Sequence, residues 1–293
     1  MLDIFSIPLP ALFGQLLLGL INGAFYAMLS LGLAVIFGML NVINFTHGAQ
    51  YMLGAFAAWL MLTNLSIPFW ASLVLAPLIV GLFGIVIERL FLKRIYHLDH
   101  LYGFLLTFGM ALVIEGLFQW RWGSSGAPYP APIPGGYNLG FMFMPAYRGF
   151  VVVAALVICL ATWYGIERTR LGAYLRAATE NPTLVRAFGI NVPLLITLTY
   201  GLGVGLAALA GVLAAPIQQV SALMGSNLVL VVFAVVVIGG MGSIMGSIIT
   251  GFGLGLIEGF TKVVYPPASN TVIFVVMAIV LMVKPAGLFG QTK

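Results

Sequence analysis

Long apolar runs dominate this sequence, at 11–38, 45–63, 68–90, 101–120, 147–166, 194–215, 222–240, 245–264 and 270–288. A helix rises about 1.5 Å per residue, so about 20 apolar residues cross the ~30 Å hydrocarbon core of a bilayer. Only 6% of the 293 residues are charged, against about 25% in soluble domains. A soluble enzyme, a DNA-binding domain and a disordered tail are therefore excluded. A membrane β-barrel would alternate apolar and polar residues in ten-residue segments, whereas these runs are unbroken. The pattern predicts an all-α polytopic transmembrane bundle of about eight or nine spans. It forms one transmembrane domain over 1–293. The stretch 11–40 is too short for two full crossings, so a broken or re-entrant helix is the alternative there.

The first twenty residues hold no Lys or Arg. A signal peptide begins with a basic region, so the first helix is expected to be retained. The lone Cys159 lies in an apolar run and reads as a small buried hydrophobe. The sequons at Asn44 and Asn64 are short enough to arise by chance and are set aside.

The net charge of +5 rests on 12 Lys and Arg. The positive-inside rule places basic clusters on the cytoplasmic side. Arg89, Lys93 and Arg94 form one cluster; Arg168, Arg170, Arg176 and Arg186 form a second, two spans later. Lys284 and Lys293 fall on the same side by counting spans, and Arg121, Arg148 and Lys262 on the other. The surplus is an orientation signal, so no nucleic-acid partner is implied. Nine spans put the N-terminus outside; a hairpin at the start would move only that terminus.

The outer loop from Arg121 to Arg148 carries a Pro- and Gly-rich core over 126–136. Proline resists helix, so an irregular external segment is expected. Trp120, Trp122, Tyr129, Tyr137 and Tyr147 flank it like interfacial aromatics. It either lies on the membrane surface or docks an external partner.

The cytoplasmic loop 167–193 holds helix punctuation. Asn181 is a good N-cap, Pro182 suits a first helical position and Gly189 a stop. A short helix over 182–188 and another over 171–178 are expected. Helices this short need packing partners. Lipid headgroups are one candidate, with arginines on phosphates; a cytoplasmic motor protein is the other.

Many of the 36 glycines fall at helical spacing, such as Gly251, Gly255 and Gly259, which suits close helix packing in lipid. Two interruptions differ. Gly239-Gly240-Met241-Gly242-Ser243 permits a tight turn, and Asn41-Val-Ile-Asn44-Phe-Thr-His47-Gly48 breaks an early apolar stretch. Polar backbone at membrane depth is tolerated only where protein buries it or a cavity is lined. A Gly-Met pair accompanies each, Gly38-Met39 and Gly240-Met241, and suggests corresponding positions in two halves of the chain, as in transporters with internal repeats.

Ionisable residues inside a bilayer are functional candidates. Glu88, Glu167 and Lys284 stand near span ends and are expected to snorkel; Glu258 and Lys262, one turn apart, suit a local pair. Glu115 is the deepest carboxylate. His47, without a second histidine nearby, suits a hydrogen bond to backbone better than a metal. No H-E-x-x-H, G-x-S-x-G or P-loop motif occurs, so the chain is not expected to be an enzyme or to hydrolyse nucleotide itself.

Four blocks give the chain a family resemblance. They are Asn22-Gly23 with Asn41 to Gly48 and Met52-Leu53-Gly54; Arg176-Ala-Ala-Thr-Glu180-Asn181-Pro182 with Gly189-Ile190; Phe233-Ala234 with Gly239 to Ser243, Gly246 and Gly251; and Lys284-Pro285-Ala-Gly287-Leu288-Phe-Gly290. On these the sequence resembles the LivH-type permease subunits of bacterial ABC importers for branched-chain amino acids. Thr46 departs from the Asn-Phe-Ala-His-Gly of many relatives by one hydroxyl.

The resemblance implies a multi-pass inner-membrane permease with no cofactor of its own, ATP being used by partner subunits. It implies four further partners: a second, homologous permease subunit, two ATP-binding cassette ATPases and a periplasmic substrate-binding protein. It implies that 167–193 is the coupling loop that seats in the ATPase, with Arg176, Glu180, Asn181, Pro182, Arg186 and Gly189 as its residues. The expected substrate pathway is Asn41, Asn44, His47, Gly240, Met241, Gly242 and Ser243. Substrates would be branched-chain or other hydrophobic amino acids, or related small organic acids and amides, with urea, short amides or aromatic acids as the alternative. The rivals are a single-chain secondary carrier and an intramembrane enzyme using Glu115 and His47.

Overall fold

A computed structural model describes residues 8–40, 44–96 and 98–290. Each apolar run carries a helix: α1 (Leu9–Leu40), α2 (Thr46–Leu65), α3 (Phe69–Leu90), α4 (His100–Trp122), α5 (Ala146–Glu167), α8 (Val192–Ala214), α9 (Ser226–Gly239), α10 (Ile244–Val264) and α11 (Val272–Val283). Between α5 and α8 lie the short α6 (Arg170–Glu180) and α7 (Pro182–Ala187).

Six of these helices, α1, α3, α4, α5, α8 and α10, are long and apolar enough to cross a membrane, so the chain is a multi-pass membrane protein. The expected eight or nine spans, with broken or re-entrant helices allowed among them, resolve into these six and three others. Helix α2 has a crossing length of 20 residues but carries Thr46, His47 and Gln50 and is the polar helix of the interior. Helices α9 and α11 have 14 and 12 residues, about 21 and 18 Å, and fall short of the ~30 Å core. Proline explains α11: Pro266 and Pro267 precede it and Pro285 follows Lys284 at its end.

Helix α1 is the buried axis. It runs antiparallel to α10, with Gly19 against Gly255 and Gly259, Gly23 against Gly251, and Gly38 against Gly242. A Cβ on Gly19 would stand 2.4 Å from the Gly255 carbonyl oxygen, so the glycine spacing does serve close approach of two backbones. Helices α2 and α8 cross on α1's other side, where Gly54 meets Ala208 and Gly32 meets Gly203. Helix α3 packs on α8, while α4 and α5 stay largely exposed at the periphery.

The outer loop is more ordered than its composition suggests. Strands β1 (Gly136–Asn138) and β2 (Phe143–Pro145) form an antiparallel hairpin. Ala127 pairs with Val220. Tyr129 and Tyr147 are 7% and 2% exposed; they are core residues, unlike Trp120, which is 85% exposed. Tyr147 donates to the Leu213 carbonyl at 2.8 Å, and this bond draws it inward.

The two basic clusters, around Arg89 to Arg94 and Arg168 to Arg186, lie at the opposite end. There the end of α3 meets the start of α8, and the ends of α1 and α5 meet α6 and the turn before α10.

Candidate functional site

Two helices begin inside the bundle. The His47 ring lies 2.9 Å from the Leu29 carbonyl through Nε2; a carbonyl only accepts, so Nε2 carries the hydrogen and donates. Leu29 is eleven residues from Leu40, about 16 Å up α1. Helix α2 therefore starts near half-depth. The segment 215–225 descends from the end of α8 in irregular turns to the same level, where Gly225 packs on Gly48 and α9 begins. Irregular backbone at this depth must be enclosed by protein or line a cavity. The aromatic cluster of Phe45, Phe104, Phe108 and Phe233 packs at the start of α2.

The start of α2 is a buried polar cluster. Thr46 Oγ1 donates to the Thr107 carbonyl at 2.9 Å, and the Phe45 amide donates to Thr107 Oγ1 at 3.2 Å. Asn44 Nδ2 donates to Gln50 Oε1, and Gln50 Nε2 donates to the Tyr200 hydroxyl, both at 3.3 Å. These groups tie α2 to α4 and α8. His47 makes the expected bond to backbone, and Nδ1 has no partner among the described residues.

The structure separates the expected pathway residues. Asn41 lies outside the described residues. Asn44 and His47 are buried at half-depth. Gly240 to Ser243 lie at the basic end, where Gly242 touches Gly38, nine residues from Leu29 along α1, about 13 Å away. Gly240, at φ +101°, is covered by Gly290. Met241 is 52% exposed, and Ser243 Oγ caps α10 by accepting from the Gly246 amide at 3.1 Å.

The coupling-loop residues do converge. Asn181 Oδ1 accepts from the Leu184 amide at 3.0 Å, Pro182 opens α7 and Gly189 turns the chain at φ +82°. Gly172, Leu175 and Ala178 form the buried face of α6, while Val185, Ala178 and Val192 make a small core of their own. Arg176 bonds Glu167 at 3.4 Å; Glu180 and Arg186 are exposed. A cavity of about 90 Å³ lies between Gly38, Glu167, Arg176, Thr179 and Gly242. It brings α6 to the end of α1 and the turn before α10.

Glu88 does not snorkel. It is 1% exposed, accepting from the Tyr96 hydroxyl at 2.9 Å and from Thr197 Oγ1 at 2.8 Å. Glu258 pairs with Lys262 as expected and also accepts from the Tyr26 hydroxyl at 2.6 Å. Glu115, half-buried on α4, accepts from Ser226 Oγ at 3.1 Å. Sequence reading missed the 215–225 re-entry, although Pro216, Gln218, Gln219 and Gly225 break the apolar run there.

The profile of the family described as "Branched-chain amino acid transport system / permease component" matches residues 15–283. This chain belongs to that permease family. The permease is 28% identical to the high-affinity branched-chain amino acid transport system permease protein BraD of Pseudomonas aeruginosa, over 95% of this chain and 96% of the relative. It is 26% identical to the corresponding LivH of Escherichia coli over the same shares. A shorter likeness, 34% over 107 residues, links it to the ribose import permease protein RbsC of Escherichia coli, covering 33% of each chain. No solved structure matches this permease.

Proposed function

We propose that this permease is the membrane-spanning subunit of an ABC importer in a bacterial inner membrane. With a second permease subunit it forms the path for branched-chain or other hydrophobic amino acids. A periplasmic binding protein delivers the substrate, and two ATPases drive the cycle from the basic, cytoplasmic end. The family membership supports the transport role and the substrate class.

The observation that carries the reading is the α6–α7 unit. It shares a small core with Val192 at the start of α8 and presents Leu184 and Phe188 outward, 54% and 77% exposed. A short, rigid, apolar-tipped handle at the basic end suits a motor that hydrolyses ATP outside the membrane. The cavity beneath it touches α1 and the turn before α10, so a push on α6 reaches helices that run the depth of the bundle.

The test is reconstitution of this chain with its second permease, ATPases and binding protein in proteoliposomes. Leucine uptake is expected only with ATP inside and binding protein outside. Arg186→Ala or Gly189→Val is expected to uncouple substrate from ATP hydrolysis while the chain still inserts. Uptake by this chain alone, driven by an ion gradient, would make it a secondary carrier and overturn the proposal.

A further inference from the structure

The outer halves of α3 and α4 stand apart. Near the basic end the two helices share one cluster, in which Leu106 and Met110 of α4 pack with Ile87 of α3 and Leu92. Further out, each packs on α2 rather than on the other. The gap is a groove of about 350 Å³, lined by Leu53, Phe56 and Ala57 of α2, Ile79 and Phe83 of α3, and Phe118 of α4. Every lining side chain is apolar. Ile79 and Phe83 are 53% and 42% exposed, so the groove is open along its side. Both α3 and α4 are membrane-crossing helices, and the opening therefore faces hydrocarbon.

The groove has the reach of one acyl chain. Ile79 lies ten residues below Phe69, at the outer end of α3, about 15 Å. One leaflet contributes half of the ~30 Å hydrocarbon core. A chain that enters at the outer end therefore finishes beside Ile79 and Phe83.

A cation stands over that outer end. Leu106, Met110, Leu117 and Arg121 lie four, seven and four residues apart, which puts them along one stripe of α4. The stripe packs towards α3 at Leu106 and Met110, is 57% exposed at Leu117 and ends on the exposed Arg121. Among the described residues no carboxylate lies within 4.0 Å of Arg121. Its guanidinium carbon is 5.3 Å from the centroid of the Trp122 ring, and stacking leaves the N–H donors free at the edge of the guanidinium plane. Trp122 packs in turn on Phe56 and Phe118 of the groove wall.

We propose that this groove holds one acyl chain of a phospholipid from the outer leaflet, with the phosphate of that lipid on Arg121. A guanidinium matches a phosphate with two parallel hydrogen bonds, while the wall below it offers no partner to a polar solute. The acyl chain takes the place of the missing α3–α4 packing and holds both helices on α2. The inference needs only that α3 and α4 cross a membrane, and it stands apart from the amino-acid importer reading.

The test uses the permease, with the subunits that copurify, in vesicles containing a phospholipid with a photoreactive diazirine at the end of one acyl chain. Peptide mass spectrometry then locates the label. Label on Ala57, Ile79 and Phe83 is expected to exceed at least threefold that on Val153 and Val157 of the peripheral α5, which are 63% and 59% exposed. Arg121→Gln is expected to cut this excess at least twofold, and Arg121→Lys to keep most of it. Ala57→Phe, which fills the groove, is expected to abolish the excess while label on α5 stays unchanged. Equal label on the groove and on α5 would overturn the inference, because the groove would then meet only bulk lipid. So would label that appears on the isolated chain and vanishes in the complex, since another subunit would then occupy the groove. An excess that survives Arg121→Gln undiminished would refute the phosphate contact and with it the proposal.

Discussion

The backbones of Gly48 and Gly225 lie directly on each other. A Cβ on Gly48 would stand 2.7 Å from the Gly225 carbonyl oxygen, and one on Gly225 only 2.0 Å from that of Gly48. This contact joins the starts of α2 and α9 at half-depth. Both obstacles are backbone, which cannot swing aside as a side chain would. Gly225→Ala is expected to cost about 1–3 kcal/mol, the usual penalty for overpacking. Gly253→Ala, in a helix with nothing within 4 Å, is expected to gain up to about 1 kcal/mol from helix propensity. Thermal unfolding of the detergent-purified chain reads both. A Gly225→Ala protein that melts no earlier than wild type would refute the close junction.

Glu88 fastens the end of α3 to the start of α8 through Thr197 and to the following loop through Tyr96. Burial, then the charge of Glu88, then their hydrogen bond push the Tyr96 phenol up from its ordinary 10.0. The folded protein therefore holds the phenol proton after the unfolded chain has released it. That stabilisation is complete below about pH 10 and declines above it. Tyr96→Phe is expected to lose about 1–3 kcal/mol at neutral pH, because Glu88 loses a donor while staying buried. The variant should also show a shallower decline between about pH 9 and pH 11 than wild type. Parallel pH profiles in unfolding experiments would contradict the Tyr96–Glu88 bond.

Phe188, 77% exposed at the end of α7, and Leu184, 54% exposed, project from a unit whose inner face is already satisfied. A few apolar anchors buried at the centre of an interface carry most of its binding energy, and Phe188 is placed to serve as one if α7 docks on the ATPase. Phe188→Ala is expected to weaken recovery of the ATPase subunits with the permease at least tenfold, or about 1.4 kcal/mol, without changing membrane insertion. Asn181→Ala is expected to cost about 1 kcal/mol through the lost cap. If α7 rests on lipid headgroups instead, Phe188→Ala leaves ATPase recovery unchanged.

Much of this was legible in the residues themselves. The apolar runs marked the membrane helices because lipid demands continuous length. Asn181, Pro182 and Gly189 marked α7 because caps and stops are local signals. What was not legible depends on distant partners. That α2 begins at half-depth rests on the His47–Leu29 bond, eighteen residues apart. The burial of Tyr147 rests on Leu213, and the enclosure of Glu88 rests on Thr197. The break at 216–221 was legible between the runs 194–215 and 222–240, but its descent to half-depth was not, because that rests on Gly225 meeting the distant Gly48. The glycine turn over Gly239 to Ser243 was read correctly as a tight turn, yet its neighbour, the segment after α11, could not be inferred from either sequence alone.

That segment is a latch. The Leu288 amide donates to the Ile238 carbonyl at 2.8 Å, and the Phe289 amide donates to that of Gly239 at 3.1 Å. They satisfy carbonyls at the end of α9 that have no partner within the helix. Gly287 turns the chain into place at φ +80°, and a Cβ there would stand 2.5 Å from the Val237 carbonyl oxygen. A β-branched side chain meets both obstacles: the left-handed conformation, worth about 1–3 kcal/mol, and the collision with backbone. Gly287→Val is therefore expected to release the latch while α11 remains helical. Hydrogen exchange tests this at the donors: the Leu288 and Phe289 amides should be protected in wild type and exchange freely in the variant. Equal protection in both would mean that these amides owe their shielding to the membrane, and the bonds to Ile238 and Gly239 would not be what holds the two segments together.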